Sequence, residues 1–165
     1  MKDPLKNLIE ALREELKEYG EMLALLDQQQ DMVMHRRTQD LLQCVAATNA
    51  QSDAIAAARR EREQHQRHLN LQFNLAEDAN FAALFPRLPA EYRPLVQALV
   101  QENNELLIRV QQRARQNHLL LNRVVELMQR FLGTLFPGSQ PATYDDAGQV
   151  MAAGLPQRSF YDAIG

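Results

Sequence analysis

The chain of 165 residues has the length of one ordinary domain, and its composition excludes several classes of protein. Hydrophobic residues make up 45% and charged residues 24%, which is typical of a folded chain. Six Gly and seven Pro are too few for the many turns of a β-sandwich or barrel. The formal net charge of -3 argues against a general nucleic-acid or anionic-membrane binder, because such proteins carry a basic surplus.

Cysteine usage and the N-terminal segment predict a cytoplasmic location. The single Cys44 cannot form an intramolecular disulfide. The charged start, residues 1–4, does not resemble an apolar signal segment, and no run approaches the roughly 18 apolar residues of a membrane span. We therefore expect a cytoplasmic protein without membrane insertion.

The first helical pattern begins at the N-terminus, where Pro4 suits a first turn and Asp3 is predicted to cap it. Its apolar residues recur at alternating steps of three and four, with Glu15 among the acidic residues expected to face water. They are Leu5, Leu8, Ile9, Leu12, Leu16, Tyr19, Leu23 and Leu26. The pattern fades over residues 27–38, and we predict a turn at about residues 34–38, with Thr38 capping the next helix.

The second helix has heptad spacing with a weaker seam, in which polar and alanine residues replace leucine. Its seam positions are Leu41, Cys44, Val45, Thr48, Gln51, Ile55, Ala58, Arg62, His65 and Leu69. A cap at residues 77–80 and a short helical turn at 81–85 follow. Pro86, Pro89 and Pro94 then indicate a connector, and a third long helix is predicted to start near Pro94.

The third helix has the strongest periodicity in the sequence and is predicted to end within residues 133–138. Its predicted seam consists of Leu107, Val110, Ala114, Asn117, Leu121, Val124, Val125, Met128, Phe131, Leu132 and Leu135. Three long helices predict an all-α, coiled-coil-like fold, either an antiparallel long-helix hairpin or a three-helix bundle. We assign residues 1–136 to this helical domain and residues 137–165 to a flexible C-terminal tail.

No pattern indicates catalysis or a cofactor. The sequence has no glycine-rich phosphate loop, nucleophile elbow or paired loop carboxylates, so we expect neither enzymatic activity nor a bound cofactor. His65 and His68 share the spacing of a metal pair, but solvated polar residues beside a thin seam are the favoured interpretation. Cys44 on the apolar face is interpreted as a small core residue.

Three features leave alternatives open. Arg109, Arg113, Arg123 and Arg130 lie on one side of the third helix, either as a solvated flank or as a positive strip for an acidic partner helix. Asn117 in the seam either fixes helix register or contacts a ligand. Tyr144, Phe160 and Tyr161 in the tail either pack back on the bundle or meet a partner.

Several of these segments resemble the FlgN-type flagellar export chaperones. The resemblance rests on the leucine-rich first helix with Tyr19, the segment Asp40-Leu41-Leu42 after the turn, the run Gln116-Asn117-His118-Leu119-Leu120, and the tail segment Tyr144-Asp145-Asp146-Ala147-Gly148 followed by Arg158. It covers most of the chain. The second helix departs from the family in being rich in Ala, Gln and Arg, and residues 151–165 do not align clearly.

This resemblance implies a cytosolic chaperone of the flagellar type III secretion system. Such a chaperone would bind the C-terminal amphipathic helices of hook–filament junction proteins in a groove and deliver them to the export gate or ATPase components. A monomer or weak homodimer is expected. The partner-binding residues that the resemblance implies are Asn117, Leu120, Leu121, Tyr144, Gly148 and Arg158. We add Phe160 and Tyr161 as candidate contacts because they are large apolar residues of the tail.

Two other functions remain open on the residues alone. One is a structural coiled-coil scaffold that self-associates through the seam of the second helix. The other is a helical nucleic-acid-binding regulator that uses the arginine strip, although aromatic residues are not interleaved with it. We expect no nucleic-acid binding.

Overall fold

The computed structural model describes residues 2–136 as an all-α structure without a strand in that range. Its elements are α1 (Lys2–Met34), α2 (Thr38–Gln72), α3 (Phe81–Leu84), a 3-10 turn (Phe85–Arg87) and α4 (Arg93–Leu135). The predicted fold class, the turn near residue 36 and the start of the third long helix near Pro94 are confirmed. The predicted tail, residues 137–165, lies outside the described residues.

Packing divides the chain into two compact units, residues 1–117 and residues 118–165. The first unit holds α1, α2, the connector and the first part of α4. Of the second unit, the structure describes residues 118–136. The predicted domain boundary after residue 136 stays a prediction.

The turn between α1 and α2 is made by a left-handed residue. Arg36 has a φ of 56°, and the N–H of Arg37 donates to Met32 O at 3.0 Å, as in a Schellman helix end. The predicted cap at Thr38 is wrong, because Thr38 is already the first helical residue and its N-cap, Arg37, makes no side-chain cap hydrogen bond. The tight reversal at Arg36 brings the backbone into helix one residue sooner than predicted.

The predicted cap at the start of α1 is also wrong. Asp3 lies within the first turn of α1, because the helix already begins at Lys2. A carboxylate in this turn still complements the positive end of the helix dipole. In contrast, the predicted cap before α3 is confirmed, since the side chain of Asn80 accepts a hydrogen bond from the N–H of Ala83 at 3.1 Å.

Helices α1 and α2 form an antiparallel hairpin. The thiol of Cys44 donates to Leu25 O at 3.4 Å, and Nε2 of Gln51 donates to Glu18 O at 3.0 Å, so contacts ascend along α2 as they descend along α1. Of the predicted α2 seam, five positions are buried, namely Cys44, Thr48, Ile55, Ala58 and Leu69. The other five are half-buried, namely Leu41, Val45, Gln51, Arg62 and His65.

Within residues 1–117, α4 runs parallel to α1. Nδ2 of Asn103 donates to Leu12 O at 3.0 Å, and Nδ2 of Asn117 donates to Leu26 O at 2.7 Å. The two acceptors are separated by the same number of residues as the two donors, which requires parallel helices in constant register. The predicted three-helix bundle is thus realised as an antiparallel hairpin plus a third helix parallel to the first.

The connector between α2 and α4 completes the hydrophobic core. Leu84 and Leu88 are 0% and 1% exposed and join a cluster with the start of α1, the end of α2 and the start of α4. The cluster consists of Leu5, Leu8, Ile9, Leu12, Leu69, Leu84, Leu88, Val96 and Leu99. Asn70 secures the connector, because its Nδ2 donates to Ala79 O at 2.8 Å.

Glu15 is buried, although the sequence predicted that it would face water. Its Oε1 accepts from the hydroxyl of Tyr19 at 2.9 Å, and its Oε2 accepts from Nε of Arg62 at 2.7 Å. Arg62 on α2 neutralises the carboxylate, which explains how a charged residue is tolerated there. Burial, together with the adjacent Glu15 carboxylate, raises the pKa of Tyr19 far above its usual value, so the phenol stays protonated as a donor.

Replacing Arg62 by Ala is expected to destabilise the first unit strongly. The change leaves the Glu15 carboxylate buried without its cation, which should lower the free energy of unfolding by about 3 kcal/mol. The matched control is Arg13→Ala, because Arg13 pairs with Glu10 at 2.8 Å on an exposed surface. That change should cost less than about 1 kcal/mol. Urea denaturation measures both, and equal losses would contradict this assignment.

A second prediction concerns the two buried asparagines of α4. Both Leu12 O and Leu26 O lie inside α1, so each retains its helical hydrogen bond when the asparagine is removed. Asn103→Leu should therefore raise the free energy of unfolding by about 1 kcal/mol, because it replaces a buried amide by an apolar group.

Asn117→Leu should not give this gain. Nδ2 of Asn117 also donates to Oε1 of Gln29 at 3.0 Å, and Gln29 is buried, so the change leaves a buried acceptor without its donor. The two variants are compared by thermal and urea denaturation. Equal stabilisation by both would show that the Gln29 contact has no energetic weight.

Candidate partner-binding surface

The burial of α4 changes abruptly after Asn117. Four positions at heptad spacing are buried, namely Val96, Asn103, Val110 and Asn117, with exposed fractions of 0%, 6%, 0% and 2%. The next two positions of the same register, Val124 and Phe131, are 37% and 63% exposed. No residue from 118 to 136 is buried. The apolar seam therefore continues along the sequence after its burial has ended.

The exposed part of α4 carries large apolar side chains on most of its circumference. We call this set the α4 apolar surface: Leu119, Val124, Val125, Leu127, Met128, Phe131, Leu132 and Leu135. Six of the eight are more than half exposed, including Leu119 at 68% and Phe131 at 63%. Isolated exposed leucines are ordinary, but a contiguous apolar surface of this size is typical of an interaction site.

The sequence prediction assigned most of this surface to the helix seam and did not identify it as a site. Heptad spacing alone cannot distinguish a seam filled by the same chain from one left for a partner. A second signal was available in the charges. From residue 118 to 135, α4 holds only Arg123, Glu126 and Arg130 as charged residues, which is too few to solvate a freestanding helix surface.

The predicted site residues fall into two groups. Asn117 is buried and hydrogen-bonded to α1, as a register-fixing residue would be, while Leu120 and Leu121 are half-buried at the start of the exposed segment. The others lie outside the described residues: Tyr144, Gly148, Arg158, Phe160 and Tyr161. Two of the predicted contact residues, Leu120 and Leu121, therefore lie on the same helix as the α4 apolar surface and adjoin it.

Two arginines flank the α4 apolar surface. Arg123 and Arg130 are exposed, and each immediately precedes a seam position, Val124 or Phe131. Among the described residues neither has an ion-pair partner. In coiled coils, charged residues at such flanking positions select the partner helix through opposite charges. This edge of the surface therefore favours acidic side chains on whatever binds there.

Arg113 does not belong to a free positive strip. Its Nε lies 2.7 Å from Oδ1 of Asp27, and its guanidinium also donates to Oε1 of Gln30 at 2.6 Å. Together with Arg109 it lines a small open cleft between α1 and α4. Arg113 thus helps to hold α4 on α1, and the predicted strip of four arginines loses one member.

The remaining candidate residues have ordinary structural environments. Cys44 is 5% exposed and packs as a small core residue, as predicted. Its burial raises the pKa of the thiol, which opposes formation of a reactive thiolate. His68 is exposed and contacts Gln72. Within residues 2–136, no three His, Cys, Asp or Glu side chains lie close enough together to hold a metal ion.

None of the helices in residues 2–136 is both long enough and apolar enough to cross a membrane.

Comparison with known proteins identifies the family. No curated protein and no solved structure matches the chain. A family model described as FlgN protein matches residues 1–151, which is most of the chain. The protein therefore belongs to the FlgN family of flagellar export chaperones.

Proposed function

We propose that this protein is a cytosolic chaperone that binds the C-terminal amphipathic helices of hook–filament junction proteins on the α4 apolar surface. It then delivers them to the flagellar export gate or its ATPase components. The observation that carries the proposal is the exposure of eight large apolar side chains on one continuous helix segment, after a heptad seam that is buried up to Asn117. Family membership supplies the class of partner.

The physical basis is the hydrophobic effect. A junction-protein helix that is not yet assembled exposes an apolar stripe, and α4 exposes another. Pairing them removes both from water, at roughly 25 cal/mol for each Å² of apolar area buried. The partner helix would place its apolar residues at steps of three and four against Val124, Leu127 and Phe131, the helix-in-groove mode of recognition.

Electrostatics adds selectivity to this contact. Arg123 and Arg130 lie on the same edge of α4, so a partner helix with acidic residues at heptad spacing beside its apolar stripe would pair with both. Exposed ion pairs contribute little free energy, but they suppress partners of the wrong charge and orientation. The preferred occupant is therefore an amphipathic helix with an acidic flank.

The residues predicted from the sequence take different roles in this proposal. Leu120 and Leu121 contact the partner at the start of the surface. Asn117 acts indirectly, by fixing α4 against α1 through its bonds to Leu26 and Gln29. Family resemblance implies that Tyr144, Gly148 and Arg158 contact the partner, and that a tail tyrosine contacts the export gate.

The scaffold alternative lacks the surface on which it depended. Self-association was to use the α2 seam, but Cys44, Ile55 and Ala58 are buried in the folded monomer. Among the described residues, most of the exposed large apolar side chains belong to the α4 apolar surface and not to α2.

Leu127→Ser combined with Phe131→Ser is expected to weaken binding of a junction-protein C-terminal helix about 30-fold, because central apolar anchors dominate such interfaces. The matched control is Leu42→Ser with Leu71→Ser, two leucines that are 70% and 58% exposed on α2. The control should bind as the unmodified protein does. Calorimetry with purified junction protein measures the affinities, and circular dichroism confirms that both variants stay helical.

Two results would contradict the proposal. One is equal binding by both double variants, since the interface would then lie elsewhere. The other is unchanged binding of a junction protein that lacks its C-terminal helix.

A further inference from the structure

Residues 137–165, which follow the α4 apolar surface directly, are themselves rich in large apolar side chains. These are Tyr144, Val150, Met151, Leu155, Phe160, Tyr161 and Ile164. Pro and Gly at positions 137, 138, 141, 148, 154 and 156 interrupt the segment and oppose formation of a long helix or an independent core. A segment of this kind can remove its apolar groups from water only by contact with another surface.

The charges of the two segments are complementary. Residues 137–165 hold Asp145, Asp146 and Asp162 against the single Arg158. The exposed part of α4 has the opposite balance, with two arginines against one glutamate. An acidic apolar peptide therefore fits a basic apolar helix.

The distances permit the contact within one molecule. The segment from residue 120 to residue 135 is about 24 Å long at the usual helical rise. The 29 residues that follow can extend over roughly 95 Å when stretched, several times the distance needed to return along α4. Pro137 and Gly138 come immediately after the end of the helix, where a reversal is required. Direct attachment gives an effective concentration on the order of 1 mM.

A second copy of the chain fits the same surface less well. In an antiparallel pair of α4 helices, Arg123 and Arg130 would face the same arginines of the other copy, so like charges would meet. In a parallel pair they would face the positions held by Leu121, Met128 and Leu135, which offer no acid. Neither arrangement gives the two arginines an acidic partner.

We propose that residues 144–164 of this chain, which include Asp145, Asp146 and Asp162, cover the α4 apolar surface in the free protein and compete with the partner helix for it. The proposal deepens the proposed function, on which it rests, by adding regulation of the same surface. The tail shields the surface from aggregation before a partner arrives. It also reduces the apparent affinity for every partner by the fraction of time during which the surface is covered.

A tryptophan placed in the surface tests the contact without any partner. The chain has no Trp, so Leu127→Trp gives a single fluorescent reporter on the α4 apolar surface. Leu71→Trp on α2 is the matched control, because Leu71 and Leu127 are 58% and 55% exposed in residues 2–136. Each reporter is made in the full chain with the natural tail and with Phe160→Ser and Tyr161→Ser. Acrylamide quenching is then measured over a range of protein concentrations.

The natural tail should protect the Leu127→Trp reporter, and the two serines should remove that protection, while the Leu71→Trp reporter stays unchanged. Protection should not depend on protein concentration. Equal quenching with both tails would overturn the proposal, and so would protection that grows with concentration, because a second copy would then cover the surface.

Partner binding separates this proposal from the proposed function. In the chain without reporters, Phe160→Ser with Tyr161→Ser should tighten binding of a junction-protein C-terminal helix about tenfold, as expected when a competing segment is removed. Tail-dependent protection of the reporter supports the tail contact even when no junction protein binds. Strong junction-protein binding without tail-dependent protection leaves the proposed function intact and overturns the tail contact.

Discussion

The continuous heptad seam of α4 is the constraint on which the structure and its function depend. A helix can present one apolar stripe for many turns, but each part of that stripe must be covered or remain in contact with water. Up to Asn117 the stripe of α4 is buried, with Asn103 and Asn117 bonded to α1 carbonyls. From residue 118 onward it is exposed. One periodic sequence thus supplies both a buried packing surface and an exposed apolar surface, which is the proposed binding surface.

The buried asparagines give this arrangement its register. Each aims its amide at a carbonyl of α1, and Asn117 also donates to the side chain of Gln29. A purely apolar seam could shift by a heptad and bury part of the α4 apolar surface against α1. Asn117 opposes such a shift, because the shift would separate its amide from the buried side chain of Gln29. Asn117, the last buried seam residue, therefore influences how much of α4 stays exposed.

The sequence predicted most of the fold because the fold follows from local pattern. The long helices, the turn near residue 36 and the start near Pro94 all carry signals within a few residues. Glu15 was misassigned because its burial depends on Arg62, which lies 47 positions away on another helix. The predicted cap at Thr38 was wrong because Arg36 makes the turn in the left-handed backbone conformation, which is uncommon for a residue other than glycine.

The candidate site was harder to predict for the same reason. Periodicity predicts which apolar residues share a helix face, but it does not show whether that face packs against the same chain or against a partner. Sequence reasoning therefore placed Val124, Met128 and Phe131 in a core and looked for contacts mainly in the tail. Sparse charge between residues 118 and 135 was the one local sign of a binding helix.

Hydrogen exchange of the full chain, with and without a junction-protein C-terminal helix, tests the central claim most directly. The amide groups of α4 from residue 118 to residue 135 should exchange quickly in the free protein relative to those of residues 96–117. Binding should slow exchange in that segment, with little change in α1 and α2. Slowed exchange confined to the outer faces of α1 and α2, with none in residues 118–135, would contradict the account.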